Sequence, residues 1–514
     1  MAEISRPIDK EFNVENTGGR FSTTFLNDLV DTHTRKIAPK YRKFQRLYEG
    51  KHKIQGRKKI DENKPNNKIV NDFFGQVIDN TVGYFLGNPV IMNYTEPKKE
   101  KAQVETDPND VGVDLEEIED TAVQDALDDL CIENDKDDLF IEWGKEAMIK
   151  GLSHLLVYQN EESKTKLMRL SPEDTILVYK NSSTKELEYA IRLYDIDTED
   201  TNKTIHYAEV YSATKIELFK SGDTVAAGRN RRDFASYEFV EEKPHIYGRI
   251  PVITLYNNEE QMSDLEKIES LVNDYDKVLS DVSNEFEVFR NAYLMLKNMT
   301  TGKDGSKKLK EEGIIEVMEN GDVKFVTKQI QTEALENHLN RLEKNIYKFS
   351  QVPDLSDENF AGNLSGIAIR FKLFGLETKC IIKERKMEKA IRDLVRVLAV
   401  PLRVLTSHEV DVINLKVEFT RNVPNNLTEI VDTVTKLDGK VDKETLLSLL
   451  PFVDNPKEVL EKMEQEAQAD RKANDPYSPN NVEADGSNLF PNLNAQNSSQ
   501  EALNAMGATI PQPE

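Results

Sequence analysis

Near the start of the chain, apolar residues recur at helical spacing: Leu26, Leu29, Val30, His33 and Ile37, then Tyr41, Phe44, Leu47 and Tyr48. Steps of three and four predict two linked helices, with Pro39 opening the second, where a missing N–H is tolerated. Ile69, Phe73, Val77, Ile78, Val82, Phe85 and Leu86 predict another helix, and Gly87 with Pro89 just beyond marks its stop. Between Glu105 and Asp138 fifteen Asp or Glu stand against Lys136 alone, yet Leu115, Ile118, Ala122, Ala126 and Leu130 keep a helical stripe. That segment reads as a charged outer helix.

The period then shortens. Leu152 to Tyr158, Thr175 to Lys180, Leu187 to Tyr194, Thr204 to Tyr211, Lys215 to Phe219 and Ile250 to Tyr256 are β-rich runs separated by turn clusters, which predicts a mostly antiparallel sheet. Helical spacing returns with Met262, Leu265, Ile268, Leu271, Tyr275, Val278, Val282, Phe286 and Phe289. A helix from Glu259 to Leu296 would be about 57 Å long. A compact insert follows, with a turn at Thr301 to Ser306, basic Lys307, Lys308 and Lys310, and apolar runs Gly313 to Met318 and Val323 to Thr327 joined by Asn320-Gly321, a hairpin signal.

Leu335, Leu339, Leu342, Ile346 and Phe349 predict a second helix spaced for packing on a neighbour, so the insert sits between two helices. After a polar loop, Gln351 to Gly366, a third and longer helix carries Leu373, Leu376, Cys380, Met387, Ile391, Leu394 and Leu398, ending near Pro401, with Gly375 as a kink point. A β-rich run, Val412 to Thr420, precedes a helical segment from Asn426 to Ala469 broken by Asp438-Gly439 and Pro451. The last 44 residues hold eight Asn and five Pro with few large apolar groups, a composition expected to be largely disordered.

Composition narrows the possibilities. With 92 acidic and 68 basic residues the chain carries −24, so its average field repels phosphate rather than holding nucleic acid. Its length is that of about three domains, and 38% hydrophobic residues suffice for real cores. Two cysteines, Cys131 and Cys380, are too few for a disulfide framework or a thiolate metal site and suit a reducing compartment. Met1 to Phe12 has no apolar core of the kind a secretory signal needs. The uncharged stretch Asn80 to Thr95 is too short and too interrupted to span a bilayer.

The chemical inventory is sparse. No glycine-rich phosphate cradle ending in Lys-Ser or Lys-Thr occurs, and Thr301 to Ser306 reads as a surface turn. The seven histidines have no i, i+4 pair and no companion cysteine, which gives zinc chemistry no support, and no cofactor is expected. Gly151-Leu152-Ser153-His154 matches a nucleophile elbow for three letters only and reads as core. Asp107, Asp110 and Asp114 could hold a divalent metal as a nuclease does, though they read as solvated. Arg57, Lys58 and Lys59, then Arg229, Arg231 and Arg232, then Lys307, Lys308 and Lys310 are basic clusters able to meet phosphate or an acidic partner. From Gln351 to Ile369 there is no Lys or Arg, while Asp354, Asp357 and Glu358 occur, the inverse of a DNA-gripping loop. Its plain alternative is a helix entry capped by Asn363 or Ser365.

Taken in order, Tyr41 to Ile54 (YRKFQRLYEGKHKI), Asn66 to Asn71 (NNKIVN), Gly83 to Val90 (GYFLGNPV), Ser171-Pro172-Glu173, Tyr247 to Val252 (YGRIPV) and the Val352 to Gly366 loop closely resemble the SPP1-like portal proteins of tailed double-stranded DNA phages. The resemblance covers most of the chain. It implies an α+β, mostly helical portal fold with wing, stem, clip and crown, and no catalytic signature is among the matching residues. By similarity, 1–256 would be the wing, helical first and β-rich over 152–256. Residues 259–296 and 331–350 would be stem helices flanking a clip at 297–330. Residues 351–366 would be a tunnel loop, 365–424 a long wing helix with a β return, 425–470 a crown and 471–514 a disordered tail.

What the resemblance implies about function is a ring, usually of twelve copies, at one capsid vertex. Double-stranded DNA would pass through it without sequence specificity during packaging and ejection. Asp354, Leu355, Asp357, Glu358, Asn359, Phe360 and Asn363 would line the tunnel. Lys303, Lys307, Lys308 and Lys310 would face docking partners: the terminase large subunit as motor, and later the head-completion connector protein. Scaffolding protein and major capsid protein are further implied partners, with a role in nucleating procapsid assembly in the host cytoplasm before residence in the virion, and no membrane. The residues leave two other classes open: a metal-dependent nuclease using the Glu105 to Asp138 carboxylates, and a monomeric virion adaptor.

Overall fold

A computed structural model describes residues 19–59, 64–95, 121–180, 186–197, 204–221, 236–289, 293–297, 322–326, 332–355, 366–422, 434–450 and scattered positions from 453 to 465. The chain divides into two units, Met1–Val423 and Pro424–Glu514.

In the first unit, α1 (Thr23–Thr32) is capped by Ser22, whose Oγ accepts from the Phe25 N–H at 3.4 Å. It passes through a single π-helical turn, His33–Ile37, into α2 (Ala38–Tyr48), with Pro39 in the first turn of α2 as the spacing predicts. The next helix is shorter than expected. α3 (Phe73–Leu86) starts at the Asp72 cap, whose Oδ1 accepts from Gly75 N at 2.9 Å, and not at Ile69. Ile69 and Asn71 lie outside it because their backbone N–H groups are taken by side chains of a later helix. Gly87 ends α3 without a left-handed turn; the glycine is needed because a Cβ there would press on the Gly83 carbonyl and on Asn422.

β1 (Ile91–Tyr94) was not expected from the sequence, and the acidic stretch holds two helices rather than one, α4 (Ala122–Glu133) and α5 (Lys136–Lys150). Its expected stripe is displaced: Val123, Leu127, Leu130 and Cys131 are the buried positions of α4, while Asp125, Asp128 and Asp129 face solvent. Leu115, Ile118 and the nuclease candidates Asp107, Asp110 and Asp114 lie outside the described residues.

The six expected β runs are strands within a residue or two at most ends, and two more appear among them. β2 (Leu152–Gln159), β3 (Thr165–Leu170) and β9 (Val252–Tyr256) form one antiparallel sheet in the order β3-β2-β9. β4 (Thr175–Tyr179), β5 (Leu187–Asp197), β6 (Thr204–Tyr211), β7 (Lys215–Ser221) and β8 (Tyr237–Pro244) form a five-stranded antiparallel meander. β8 eludes pattern reading because it is a charged edge: Glu238, Glu241, Glu242 and Lys243 are exposed, and a register shift at Leu218/Phe219 interrupts its pairing with β7.

α6 (Glu269–Phe289) is shorter than the helix read over 259–296. Its 21 residues span about 31 Å rather than 57 Å. Residues 259–268 form turns before it, and Leu294 and Leu296 belong to β10 (Tyr293–Lys297). β10 pairs antiparallel with β11 (Asp322–Val326), so the described partner of the second insert strand is 293–297; Gly313 to Met318 and Asn320-Gly321 lie outside the described residues. α7 (Thr332–Ser350) follows, and then α8 (Gly366–Thr406), which runs through Pro401 instead of ending there. After a short 3-10 turn, β12 (Leu415–Glu418) pairs with β1 and ties the return of the chain to its N-terminal half.

The main core joins α3, α5, β2, β9 and the second half of α8, centred on Phe74, Ile78, Trp143, Met148, Leu155, Ile253 and Ile391. A second core lies between α1 and the five-stranded sheet, with Leu26, Leu29 and Val30 on Ile191 and Phe219. No helix among the described residues is long and apolar enough to cross a membrane. In the second unit, Asp438 and Gly439 form the expected turn, with Gly439 at φ +74°, and α9 (Lys443–Ser448) is capped by Asp442. Pro451 and the tail from 471 onward lie outside the described residues.

Candidate functional site

α6, the β10–β11 ribbon and α7 make a helix–ribbon–helix excursion, and its base is fastened to the body by side chains of α6. Asp276, fully buried, accepts from Asn71 through Oδ1 (2.9 Å) and faces His52 Nδ1 through Oδ2 at 2.6 Å. Ser280 Oγ accepts from Ile69 N, Asn284 Oδ1 from Asn67 N, and Asp281 pairs with Arg57 at 2.5 Å. These bonds hold His52, Arg57 and residues 67 to 71 along α6, which is why the chain at Ile69 is not helical. They also assign Arg57, one of the basic-cluster residues, to an internal anchor rather than to a phosphate.

Between the two helices, Tyr275 stacks edge-on against Phe73, with ring centroids 5.0 Å apart, and Tyr347 donates to Gln76 Oε1 at 3.0 Å. Of the stripe expected on α7, Leu339, Leu342 and Ile346 are buried, whereas Phe349 is half exposed. α7 ends at Ser350, and Gln351 turns the chain with a left-handed φ of +60°. Val352 is buried directly after, and Leu355 emerges half exposed. Glu343 has its carboxyl raised, by burial first and by the negative charge of Asp354 second. Asp354 and Leu355 are therefore the described part of the candidate tunnel set. Asp357, Glu358, Asn359, Phe360 and Asn363 lie outside the described residues, as do Ser365 and Lys303, Lys307, Lys308 and Lys310.

The start of the loop is also held by α8. Lys379 Nζ donates to the Ser350 carbonyl at 3.3 Å, and Gly375 passes close to the Gln351 backbone. Beneath this crossing lies a buried ion cluster. Asp264 accepts from Lys379 and Lys383, each at 2.9 Å, and from Asn257 Nδ2 at 2.8 Å, while Lys383 also donates to Asn257 Oδ1. Burial would raise the Asp264 carboxyl, but the two ammonium groups and the Asn257 hydrogen bond outweigh it and hold the carboxyl well below the usual range. Burial also pulls Lys383 down to about 8, against the attraction of Asp264. A second clamp joins α8 to the returning chain: Arg421 bonds Glu377 at 3.0 and 3.1 Å and Glu384 at 2.5 Å, and Tyr84 donates to Glu377 at 2.7 Å.

The sequence reading missed this cluster. Its signal was present: Lys383 falls on the apolar stripe of α8 between Cys380 and Met387, and a lysine buried at such a place needs a counter-charge.

The arrangement is mechanical in kind: it fixes the start of a loop on rigid helices. Among the described residues no group of three or more His, Cys, Asp or Glu is placed to hold a metal ion. Ser153 and His154 are buried in β2; Ser153 donates to Glu146, and burial lowers His154 to about 3, so its ring is neutral. Burial pushes the Cys131 and Cys380 thiols up to about 12, which leaves them protonated and inert.

Residues 27–473 match the family model described as phage portal protein, SPP1 Gp6-like. The portal protein of Bacillus phage SPP1 is 26% identical over 467 residues, covering 86% of each chain. The portal protein of Clostridium phage phiCD119 is 28% identical over 322 residues, 60% of this chain and 68% of that protein. A solved structure titled "Neck of empty GTA particle computed with C6 symmetry" aligns over 74% of this chain and 90% of its own at 10% identity and a TM-score of 0.38, a likeness too remote to transfer any feature.

Proposed function

The chain belongs to the SPP1 Gp6-like family of phage portal proteins, and from that premise we propose that twelve copies close into a ring at one capsid vertex, a conduit for double-stranded DNA. The match across residues 27–473 carries this reading. In it, 1–256 and 365–424 form the wing, α6 and α7 are stem helices within 259–296 and 331–350, 297–330 is the clip, 351–366 the tunnel loop and 425–470 the crown. The protein performs no reaction of its own; the terminase large subunit supplies the force, and the connector protein later takes its place. Scaffolding and major capsid proteins meet the ring during procapsid assembly in the host cytoplasm.

The physical chemistry of the chain fits a wall that contacts DNA without gripping it. Each copy carries −24, and residues 351–369 contain no Lys or Arg. The candidate loop departs from the left-handed turn at Gln351, and α8 begins at Gly366 beyond it. Lys303, Lys307, Lys308 and Lys310 are reserved for the outlet, where the motor and the connector dock.

Shortening the loop between Asp354 and Ser365 tests the reading. Rings should persist while DNA packaging or retention falls; normal packaging with the loop gone contradicts the tunnel assignment. Asn359→Lys or Asn363→Lys should make transit sticky and dependent on salt.

A further inference from the structure

The first half of α8 presents a face that nothing in the described chain covers. Phe371 is 77% exposed, Phe374 69%, Ile382 50% and Ile381 40%. With Thr378 they recur at steps of three and four, so they share one side of the helix. The two phenyl rings alone leave roughly 300 Å² of surface open, taking about 200 Å² for a whole aromatic side chain. The largest apolar patch on a typical monomer is about 300–600 Å² and is often functional, and Ile381 and Ile382 extend this one along the same side.

Charge then selects the partner. Exposed Arg370 stands at one end of the stripe, and exposed Arg385 and Lys389 at the other. Lys379 and Lys383 are spent on Asp264 and Lys386 on Glu259, and the charged residues left exposed over 370–389 are these three cations, although the chain as a whole carries −24. A second copy of this chain is therefore an acidic surface that complements a basic stripe. Duplex DNA would meet the cations but offers no apolar counterpart to Ile381 and Ile382. The stripe cannot pair with itself, because both its ends are cationic: parallel pairing sets Arg370 on Arg370, and antiparallel pairing sets Arg370 on Arg385 or Lys389. The contact must join two different surfaces, and such head-to-tail contacts are the kind that close into rings.

We propose that this face of α8, from Arg370 to Lys389, is where the neighbouring copy docks, through an acidic surface other than α8. The proposal rests on the portal reading above and adds the surface that the ring uses.

The test uses the full-length chain with a photoreactive benzoylphenylalanine in place of Phe374, assembled from isotopically light and heavy copies and irradiated. Cross-links between light and heavy chains that map to an acidic segment outside 366–389 are expected. Cross-links confined to one chain, to α8 of the other copy or to DNA, or none at all, overturn the proposal. In parallel, Phe371→Ser with Phe374→Ser, and separately Arg385→Glu with Lys389→Glu, should raise the concentration for half-assembly by about tenfold or more, with far-UV circular dichroism unchanged. The charge-reversed pair keeps the test open should the serine pair fold poorly. Variants that form rings at the wild-type concentration overturn this interface and leave the portal reading standing, whereas a wild-type chain that never assembles overturns both.

Discussion

The two halves of α8 treat the same kinds of side chain in opposite ways. From Met387 to Leu402 the helix buries Met387, Ala390, Ile391, Leu394, Val395, Val397, Leu398 and Leu402 against α3, β9 and their neighbours. From Phe371 to Ile382 it leaves two phenylalanines and two isoleucines in water. Intrachain packing therefore explains why the second half is helical and where it sits. It accounts for Leu376 and Cys380 of the first half as well, but not for Phe371, Phe374, Ile381 and Ile382, whose exposure has a physical use only if something beyond the described residues covers them. The boundary between the regimes is pinned by Lys379 and Lys383 on Asp264, at the point where α8 crosses the end of α7.

The sharpest way to break that contrast is at the pin. Asp264→Ala leaves two buried lysines without their counter-charge and should cost about 3–5 kcal/mol in urea unfolding. The same site sets an acid limit. A carboxyl held below its unfolded pKa contributes fully above about pH 4 and loses that contribution as the pH falls further toward its folded value. Wild-type stability should therefore drop below about pH 4, and Asp264→Asn, already destabilised, should lose that part of the pH dependence.

The halves themselves come next. Ile391→Ala opens a cavity at a fully buried position and should cost about 2–5 kcal/mol. Phe374→Ser should change the folding stability of the unassembled chain by no more than about 0.5 kcal/mol. Equal losses at the two positions would erase the distinction drawn here. Gly151→Ala probes the body on which α8 rests. Gly151 has φ +95°, and a Cβ there would strike the Gln261 carbonyl, so a loss of about 1–3 kcal/mol is expected. Tyr84→Phe, which removes one hydrogen bond to Glu377, should cost about 0.5–1.5 kcal/mol, the smallest loss expected among the packed positions.

What the sequence could reveal follows the same division. The buried stripe of α8 was legible because Leu376, Cys380, Met387, Ile391, Leu394 and Leu398 obey one period and all are buried. The strands from Leu152 to Tyr256 were legible where one face is apolar. β3 and β8 were not, since half-exposed and charged edges carry no alternation. Helix ends were misjudged where distant side chains decide them. Asp276 and Ser280 keep Asn71 and Ile69 out of α3, and the turns at 259–268 delay α6, although the apolar spacing runs on through both places. For the candidate site, the polar loop after Ser350 could be read from composition, and Asp354 and Leu355 do follow the turn at Gln351. Lys383 on the apolar stripe could be flagged as needing a counter-charge, but Asp264 could not be picked as its partner, because the two lie 119 residues apart.

The mass of the purified full-length chain under native conditions tests the central claim most directly. A closed particle near twelve chain masses, with an axial channel in electron micrographs, is the expected result. A single folded copy that stays monomeric at micromolar concentration, with Phe371 and Phe374 still open to water, would contradict it.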